Sequence, residues 1–480
     1  MSLFQGQFLF TNQKPEPSLP DWNLVEIDDY TLLSHPLLNY AFAKGNNFEL
    51  HIIGDVYDWV NPFQTNQQII NSLVKNPTFD KVLEELAGYT GRFIMFYLSS
   101  DALHIVNDAC AQHEVYYNNS FTTFGSQPKI IELIEKPAPP SNKAASCFFN
   151  SKSFLSKKVF YGDKTHVQNI KHLLPNHHLD IKNKRPVRNY PFEPLNQLSL
   201  SEVAGRASLM LKGFLKAIAH RERIALAVTA GYDSRVLFLA SLELPCAYFV
   251  QKHAYMNNTH YDITIPSQLT KMFDKEFTII PDIPKEQTVY PDDYKASIDF
   301  PRFLKIPSVI YHDYTYINGN ISEIARNYFG YLKKPSARNL AFLNGYKNAK
   351  AVINEYQNWI DSNNNLFKAN GYNLLDMFYW EEKMGNWAAK AKTEGCAMGQ
   401  KFVSPFNSRL LLTILLSTDR KLRDSHNNVL YNRIIELLAP EALNIPINPC
   451  RKRNIIGVMQ TLRLYNTYRY IGVKLQMLKP

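Results

Sequence analysis

The chain of 480 residues has little cysteine: Cys110, Cys147, Cys246, Cys396 and Cys450, scattered and with no Cys-x-x-Cys pair or clustered histidine. That spacing speaks against a structural zinc site and against a disulfide framework. Free thiols in a reducing compartment are the better expectation. Long apolar runs are missing too; none approaches the roughly 18 residues that span a bilayer. The first residues, Met1 to Gln7, place no basic region ahead of an apolar one, so no secretory signal and a cytoplasmic location are expected. There is no Gly-Lys-Ser/Thr after a Gly-rich stretch, which excludes a Walker loop. No self-similarity recurs at about 20–50 residues, which excludes a solenoid.

What is present is ordinary globular material, 45% hydrophobic and 20% charged. The length calls for two or three domains. The net charge is +10, and much of the excess lies near the end. There Arg451-Lys452-Arg453 is followed by a stretch in which Arg463, Arg469 and Lys474 alternate with Tyr465, Tyr468 and Tyr470. It reads as a solvated, partly amphipathic terminal helix, or as a surface touching anionic lipid or a phosphorylated carrier.

Up to about residue 135 the pattern is one of many short strands. Phe8-Leu9-Phe10, residues 48–53, 92–98 and 102–106 are rich in aromatic and β-branched residues, and Ser99-Ser100-Asp101 makes a hairpin turn between the last two. Pro137, Pro139 and Pro140 mark a boundary. A short unit follows to about residue 195. Ser199-Leu200-Ser201-Glu202 then places a helix cap before a helical run from Val203 to His220. A buried-type strand, residues 224–228, enters the loop Thr229-Ala230-Gly231-Tyr232-Asp233-Ser234, a helix starts at Ser234, and a second apolar strand covers 247–250. Strand, loop, helix and strand make a βαβ unit, hence a parallel sheet with a ligand site at the carboxyl end of the first strand. The remainder, from about 300 to 480, reads as mainly helical.

A small Gly-containing turn before a helix aims backbone amides at an anion. Thr229 and Ser234 add hydroxyl donors. Asp233 beside an anion is repulsive unless Mg²⁺ lies between them. The competing reading is a plain βα turn with Asp233 as a cap.

The loop resembles the Ser-Gly-Gly-x-Asp-Ser pyrophosphate loop of the N-type ATP pyrophosphatases, the PP-loop superfamily, with Thr229 for Ser and Ala230 for the first Gly. Within it the chain is similar to the asparagine synthetase branch, in order along nearly the whole length. Gly91-Arg92-Phe93, Asp108 and Tyr116-Tyr117 match its amidotransferase-like domain. Thr165, Ile170, Leu174-Pro175-Asn176-His177 and Tyr190 match the entry to the synthetase domain. Asp262 opens the next helix, Gly319-Asn320-Ile321-Ser322-Glu323 with Phe329-Gly330-Tyr331 matches a Gly-rich segment, and Ser404-Pro405-Phe406-Asn407 follows. The fold that this implies is α/β. An N-terminal Ntn-hydrolase-like αββα domain, a degenerate class II glutamine amidotransferase, covers 1–140, and a connecting segment, 141–197, completes it. A doubly wound parallel-sheet domain of the adenine nucleotide α-hydrolase-like, asparagine synthase type covers 198–480, with a helical C-terminal part.

The resemblance implies ATP and Mg²⁺ as cofactors. Leu226, Val228 and Val250 would hold adenine, Thr229 to Ser234 and Gly319 the phosphates, and Asp233 and Glu323 the metal. A substrate carboxylate would attack the α-phosphorus, giving an acyl-adenylate and pyrophosphate, and an amine or ammonia would displace AMP. Two departures change the roles. The family's acidic residue falls on Asn320, so Glu381 or Glu382 must act as base, with Glu382 chosen here; helix surface or a supporting shell is the bland alternative for both. The family's late lysine would fall near Asn427-Asn428, so Lys421, Arg423 or Arg433 must substitute, Lys421 first. In the N-terminal domain Ser2 stands for the nucleophilic Cys, Ile53 for the Asn of the oxyanion segment, and Thr90 for the Asp that holds glutamine, so no glutaminase activity is expected. Beta-lactam synthetases are a family precedent for such a domain.

The leading expectation is therefore an AMP-forming carbon–nitrogen ligase acting on a small or carrier-linked carboxylate such as a sugar acid, peptide or metabolite, as a possible homo-oligomer. Alternatives are a retired scaffold that binds nucleotide or a partner, and a PP-loop enzyme of tRNA. The missing cysteine pair weighs against the latter, and nucleic acid is not an expected partner.

Overall fold

Twelve strands between residues 8 and 188 form two antiparallel sheets. They are β1 (Phe8–Thr11), β2 (Asn23–Ile27), β3 (Tyr30–Ser34), β4 (Tyr40–Lys44), β5 (Phe48–Tyr57), β6 (Thr90–Ser99), β7 (Leu103–Asn107), β8 (Tyr116–Asn118), β9 (Thr123–Gly125), β10 (Ile170–His172), β11 (His177–Asp180) and β12 (Arg185–Arg188). The first sheet has the order β10-β8-β9-β1-β3-β2 and the second β12-β11-β7-β6-β5-β4. This computed structural model describes residues 3–14, 19–139, 143–282, 291–302, 311–330, 332, 335–425, 427–449, 464 and 471. Ser2, Pro140, Ser141, Tyr331, Cys450 and, apart from Leu464 and Ile471, the basic terminal stretch lie outside the described residues.

β5 and β6 show why the sequence stacks in layers. They pair over ten residues, from Phe48 opposite Ser99 to Tyr57 opposite Thr90. Their apolar runs are almost unbroken because both faces are covered. Ile53, Ile94 and Phe96 meet Phe8, Phe10 and Phe124 of the other sheet. Their alternates, Ile52, Phe93 and Met95, meet Ile69, Leu73, Val82 and Leu86 from the helices Asn66–Leu73 and Phe79–Leu86. On the far side of the first sheet, Leu9 and Tyr116 pack with Ile130 and Ile131 of the helix Pro128–Ile131. The layering is helix, sheet, sheet, helix. The hairpin turn after β6 closes with the Ser99 amide donating to the Ala102 carbonyl at 2.9 Å.

The second half is built on a parallel sheet of β13 (Ile224–Ala227), β14 (Cys246–Gln251), β15 (Thr278–Ile280), β16 (Thr315–Ile317) and β17 (Lys401–Val403), in the order β15-β14-β13-β16-β17. Residues of β13 alternate between two buried clusters, Ile224 and Leu226 in one and Ala225 in the other. The chain therefore reads as both a mixed α/β molecule and one with antiparallel and parallel sheets kept apart.

Differences from the sequence reading are local. The helix Leu200–Arg221 starts three residues before Val203, with the Ser199 hydroxyl accepting the Glu202 amide. The helix after the loop begins at Tyr232 rather than Ser234. The part beyond residue 300 contributes β16 and β17 to the sheet. Each is three residues long, too short for period-two patterning to show in sequence. Among the described residues, no helix is long and apolar enough to cross a membrane.

Candidate functional site

Strand order reverses at β13: the chain moves outward to β15, then returns to place β16 on the other side of β13. A crevice opens at the carboxyl ends of strands at such a switch point. The loop Thr229 to Ser234 leaves β13 there. The side chain of Ser234 reaches back, its hydroxyl accepting the Thr229 amide at 3.0 Å and lying 2.9 Å from the Thr229 hydroxyl. The Gly231 amide donates to Thr229 Oγ1 at 3.3 Å, and the Ala230 amide to Asp262 Oδ1 at 2.9 Å. Asp262 lies in the first turn of the helix Tyr261–Met272. Gly231 is the N-cap of the helix Tyr232–Ala240 and offers no capping side chain. That end of the helix carries the positive end of its dipole, which favours an anion.

The chain's later segments fasten around this helix. Arg235 donates to the carbonyls of Ala442, Ile445 and Pro446 at 2.6–3.0 Å. The Asn448 amide donates to the Ala230 carbonyl at 2.9 Å, and the Asn428 amide to the Tyr232 hydroxyl at 3.4 Å. Asn428, in the region where the resemblance expects a lysine, thus stands beside the loop.

The 3-10 turn Asn320–Arg326 approaches from β16. Gly319, its N-cap, lies so close that a Cβ there would be 2.7 Å from Asp233 Cβ. Glu323 and Arg326, three residues apart, both act on Asp233. Arg326 donates to Asp233 Oδ1 at 3.0 Å. Glu323 accepts the Tyr379 hydroxyl. Burial pushes the Glu323 carboxyl up; the Tyr379 hydrogen bond opposes this and the charge of Asp233 adds to it, leaving it raised. Burial would lower the Arg326 guanidinium, but Asp233, Tyr431, Glu323 and Tyr379 around it leave it raised. Leu226, Val228 and Val250 are buried at the strand ends. Asn320 is exposed.

Glu381 and Glu382 are both buried, in the π-helical segment Tyr379–Ala388. Glu381 is gripped by Arg188 in a bidentate pair at 2.6 and 2.9 Å and accepts the Trp359 indole at 2.8 Å. Burial pushes its carboxyl up, but Arg188 outweighs that and holds it below the usual range. Glu382 has the Gly162 amide on Oε2 at 2.9 Å, and burial lifts it to about 8. Lys421 is exposed on the 3-10 turn Arg420–Arg423, and among the described residues its side chain has no ion pair with the loop. The structure thus brings together Thr229 to Ser234, Gly319 and Glu323, and adds Arg326, Tyr379 and Tyr431, which sequence reasoning missed. Only Arg326 carried a signal, a cation one turn beyond Glu323.

The N-terminal positions face inward. Ile53 is fully buried between the sheets. Thr90 is fully buried, and its hydroxyl donates to the Ser404 carbonyl at 2.9 Å. Asp108 accepts the Gln112 and His113 amides and, at 2.9 Å, the Asn407 side chain.

No protein-family model and no curated protein matches the chain. Among solved structures it is similar to the allosteric regulatory enzyme of purine biosynthesis, at 12% identity and a TM-score of 0.24, over 54% of this chain and 63% of that one. It is also similar to glutamine phosphoribosylpyrophosphate amidotransferase from B. subtilis complexed with ADP and GMP, at 10% identity and a TM-score of 0.21, over 55% and 64%. The matches span less than two thirds of those chains. Likenesses this weak decide neither fold family nor activity.

Proposed function

We propose that the chain is an ATP-dependent ligase that forms AMP and pyrophosphate, adenylates a substrate carboxylate and makes an amide from it. The supporting observation is the convergence of an uncapped helix N-terminus, Asp233 and Glu323 at the switch point of a parallel sheet. Its second-half layout agrees with an adenine nucleotide α-hydrolase-like synthetase domain, and its first half with an Ntn-hydrolase-like sandwich.

Helix amides and hydroxyls suit the phosphate chain, with Leu226, Val228 and Val250 as an apolar seat for the base. Asp233 and Glu323 offer hard oxygen donors whose mutual repulsion a divalent cation would relieve, so the donor set fits Mg²⁺. Bound there, the ion would neutralise charge on the departing pyrophosphate. Arg326 now occupies Asp233 Oδ1 and supplies the positive charge that the family's late lysine would bring. Glu382, protonated at neutral pH, takes up a proton from the incoming amine only once it has itself ionised. With Thr90 and Ile53 sealed, the nitrogen comes from ammonia or an amine rather than from glutamine hydrolysed by this chain.

Incubation with ATP, Mg²⁺ and candidate acids, read as acid-dependent pyrophosphate release, tests the reading. Asp233→Ala should lower that release by at least about 100-fold. ADP as product, or no ATP binding by the intact loop, rules it out. The Asp233–Arg326 pair also suits a retired scaffold, in which Asp233→Ala leaves partner binding intact.

A further inference from the structure

A cavity of about 340 Å³ lies between the connecting segment and the π-helical segment Tyr379–Ala388, lined among others by Lys157, Arg302, Tyr346, Glu382, Lys383 and Trp387. Three cations border it, Lys157, Lys383 and Arg302, of which Arg302 is paired with Glu394. Lys157 lies flat across Gly345, where a Cβ would be 1.8 Å from its Nζ; it donates to the Asn344 carbonyl at 2.9 Å and sits 4.9 Å from the Tyr346 ring centre. Lys383 sits 5.0 Å from the Trp387 ring centre. Arg302 uses Nε on Glu394 at 2.6 Å, while its Nη2 is buried without a hydrogen-bond partner. Buried polar atoms like Arg302 Nη2 are rare without something to meet them. Glu382, 1% exposed, has the Tyr356 hydroxyl as a side-chain neighbour.

We infer that this cavity binds a small oxyanion, a carboxylate or a phosphate, between Lys157 and Lys383, with Tyr346 and Trp387 as flat walls. Charge supports the assignment. Burial and then Lys383 hold the Lys157 ammonium down at about 8, and burial lowers Lys383 as well. Glu382, lifted to about 8, gives a protonated donor rather than a compensating carboxylate at neutral pH. An oxyanion between two crowded ammoniums relieves their repulsion and accepts from Glu382 and Arg302 Nη2. The volume is at the small end for ligand sites, so the ligand is a compound of few atoms. The inference shares Glu382 with the ligase reading, but its test uses no nucleotide, so the two fail separately.

Titrate the full chain calorimetrically with malonate and, separately, with inorganic phosphate. Binding that Lys157→Met and Lys383→Met each weaken by about tenfold or more, and that Lys216→Met leaves unchanged, supports the site. Lys216 is the control because it lies over Phe63, away from this cavity. Preference for malonate assigns a carboxylate, and preference for phosphate a phosphoryl group. Failure of the unsubstituted chain to bind either anion, or undiminished binding in both variants, overturns the inference. Should the variants not fold, a crystal soaked in selenate decides by anomalous scattering. Selenium between Lys157 and Lys383 supports the site, and its absence there overturns it.

Discussion

Adjacent residues of the π-helical segment meet opposite environments: the Glu381 carboxylate is held by Arg188 and Trp359, whereas Glu382 has the Gly162 amide and the Tyr356 hydroxyl and no paired cation. Glu381→Gln should destabilise the protein by about 3 kcal/mol at pH 7, because it leaves Arg188 without its counter-charge. Urea unfolding measures this. The Glu381 carboxyl is depressed, so its contribution is full above the ordinary carboxylate range and fades as the pH falls through its folded value. Glu382 runs the other way. Its folded value of about 8 lies above its ordinary 4.5, so stability present below pH 4.5 is lost as the pH rises towards 8. Glu382→Gln should cancel that loss. Relative to the natural chain it gains on the order of 5 kcal/mol between pH 4.5 and 8, and parallel curves would count against a buried protonated Glu382.

The loop and the 3-10 turn Asn320–Arg326 work as one element pair. Their contact depends on Gly319, whose missing side chain admits Asp233 Cβ. Gly319→Ala forces a shift of the backbone there, since 2.7 Å is below any real carbon–carbon contact. Its stability should fall by about 1–3 kcal/mol, with ATP affinity falling at least about tenfold. Thermal unfolding and nucleotide titration read the two separately. Affinity kept while stability falls would detach the turn from nucleotide binding. The helix Tyr232–Ala240 itself was legible because an apolar strand, a small turn and an apolar helix follow one another. Its first residue was not, because Gly231 caps through backbone alone.

Across the whole molecule, the segment Ser404 to Arg409 seams the parallel-sheet half to the double-sheet half. Asn407 donates to the Gly91 carbonyl at 2.6 Å and to Asp108, and Arg409 donates to the carbonyls of Asn107 and Asp108. All of these residues are buried, so loss of the Asn407 side chain leaves acceptors unsatisfied. Asn407→Ala should cost about 2–3 kcal/mol and split one calorimetric unfolding transition into two. A single undivided transition of unchanged midpoint would show that the seam does not couple the halves.

Local order was written in the sequence. The unbroken apolar runs of β5 and β6, the Ser199 cap and the turn of small residues between β13 and its helix each follow from patterning within a few residues. The loop's place in a βαβ unit followed as well. Only the tertiary structure decided which distant groups meet there. It put Arg326 on Asp233, Tyr379 on Glu323 and Asn428 beside Tyr232, and it gave neighbouring Glu381 and Glu382 opposite protonation. Lys421, chosen by sequence position, stays exposed. The reason is physical: charge and protonation depend on burial and on partners tens or hundreds of residues away, and no local pattern encodes that distance.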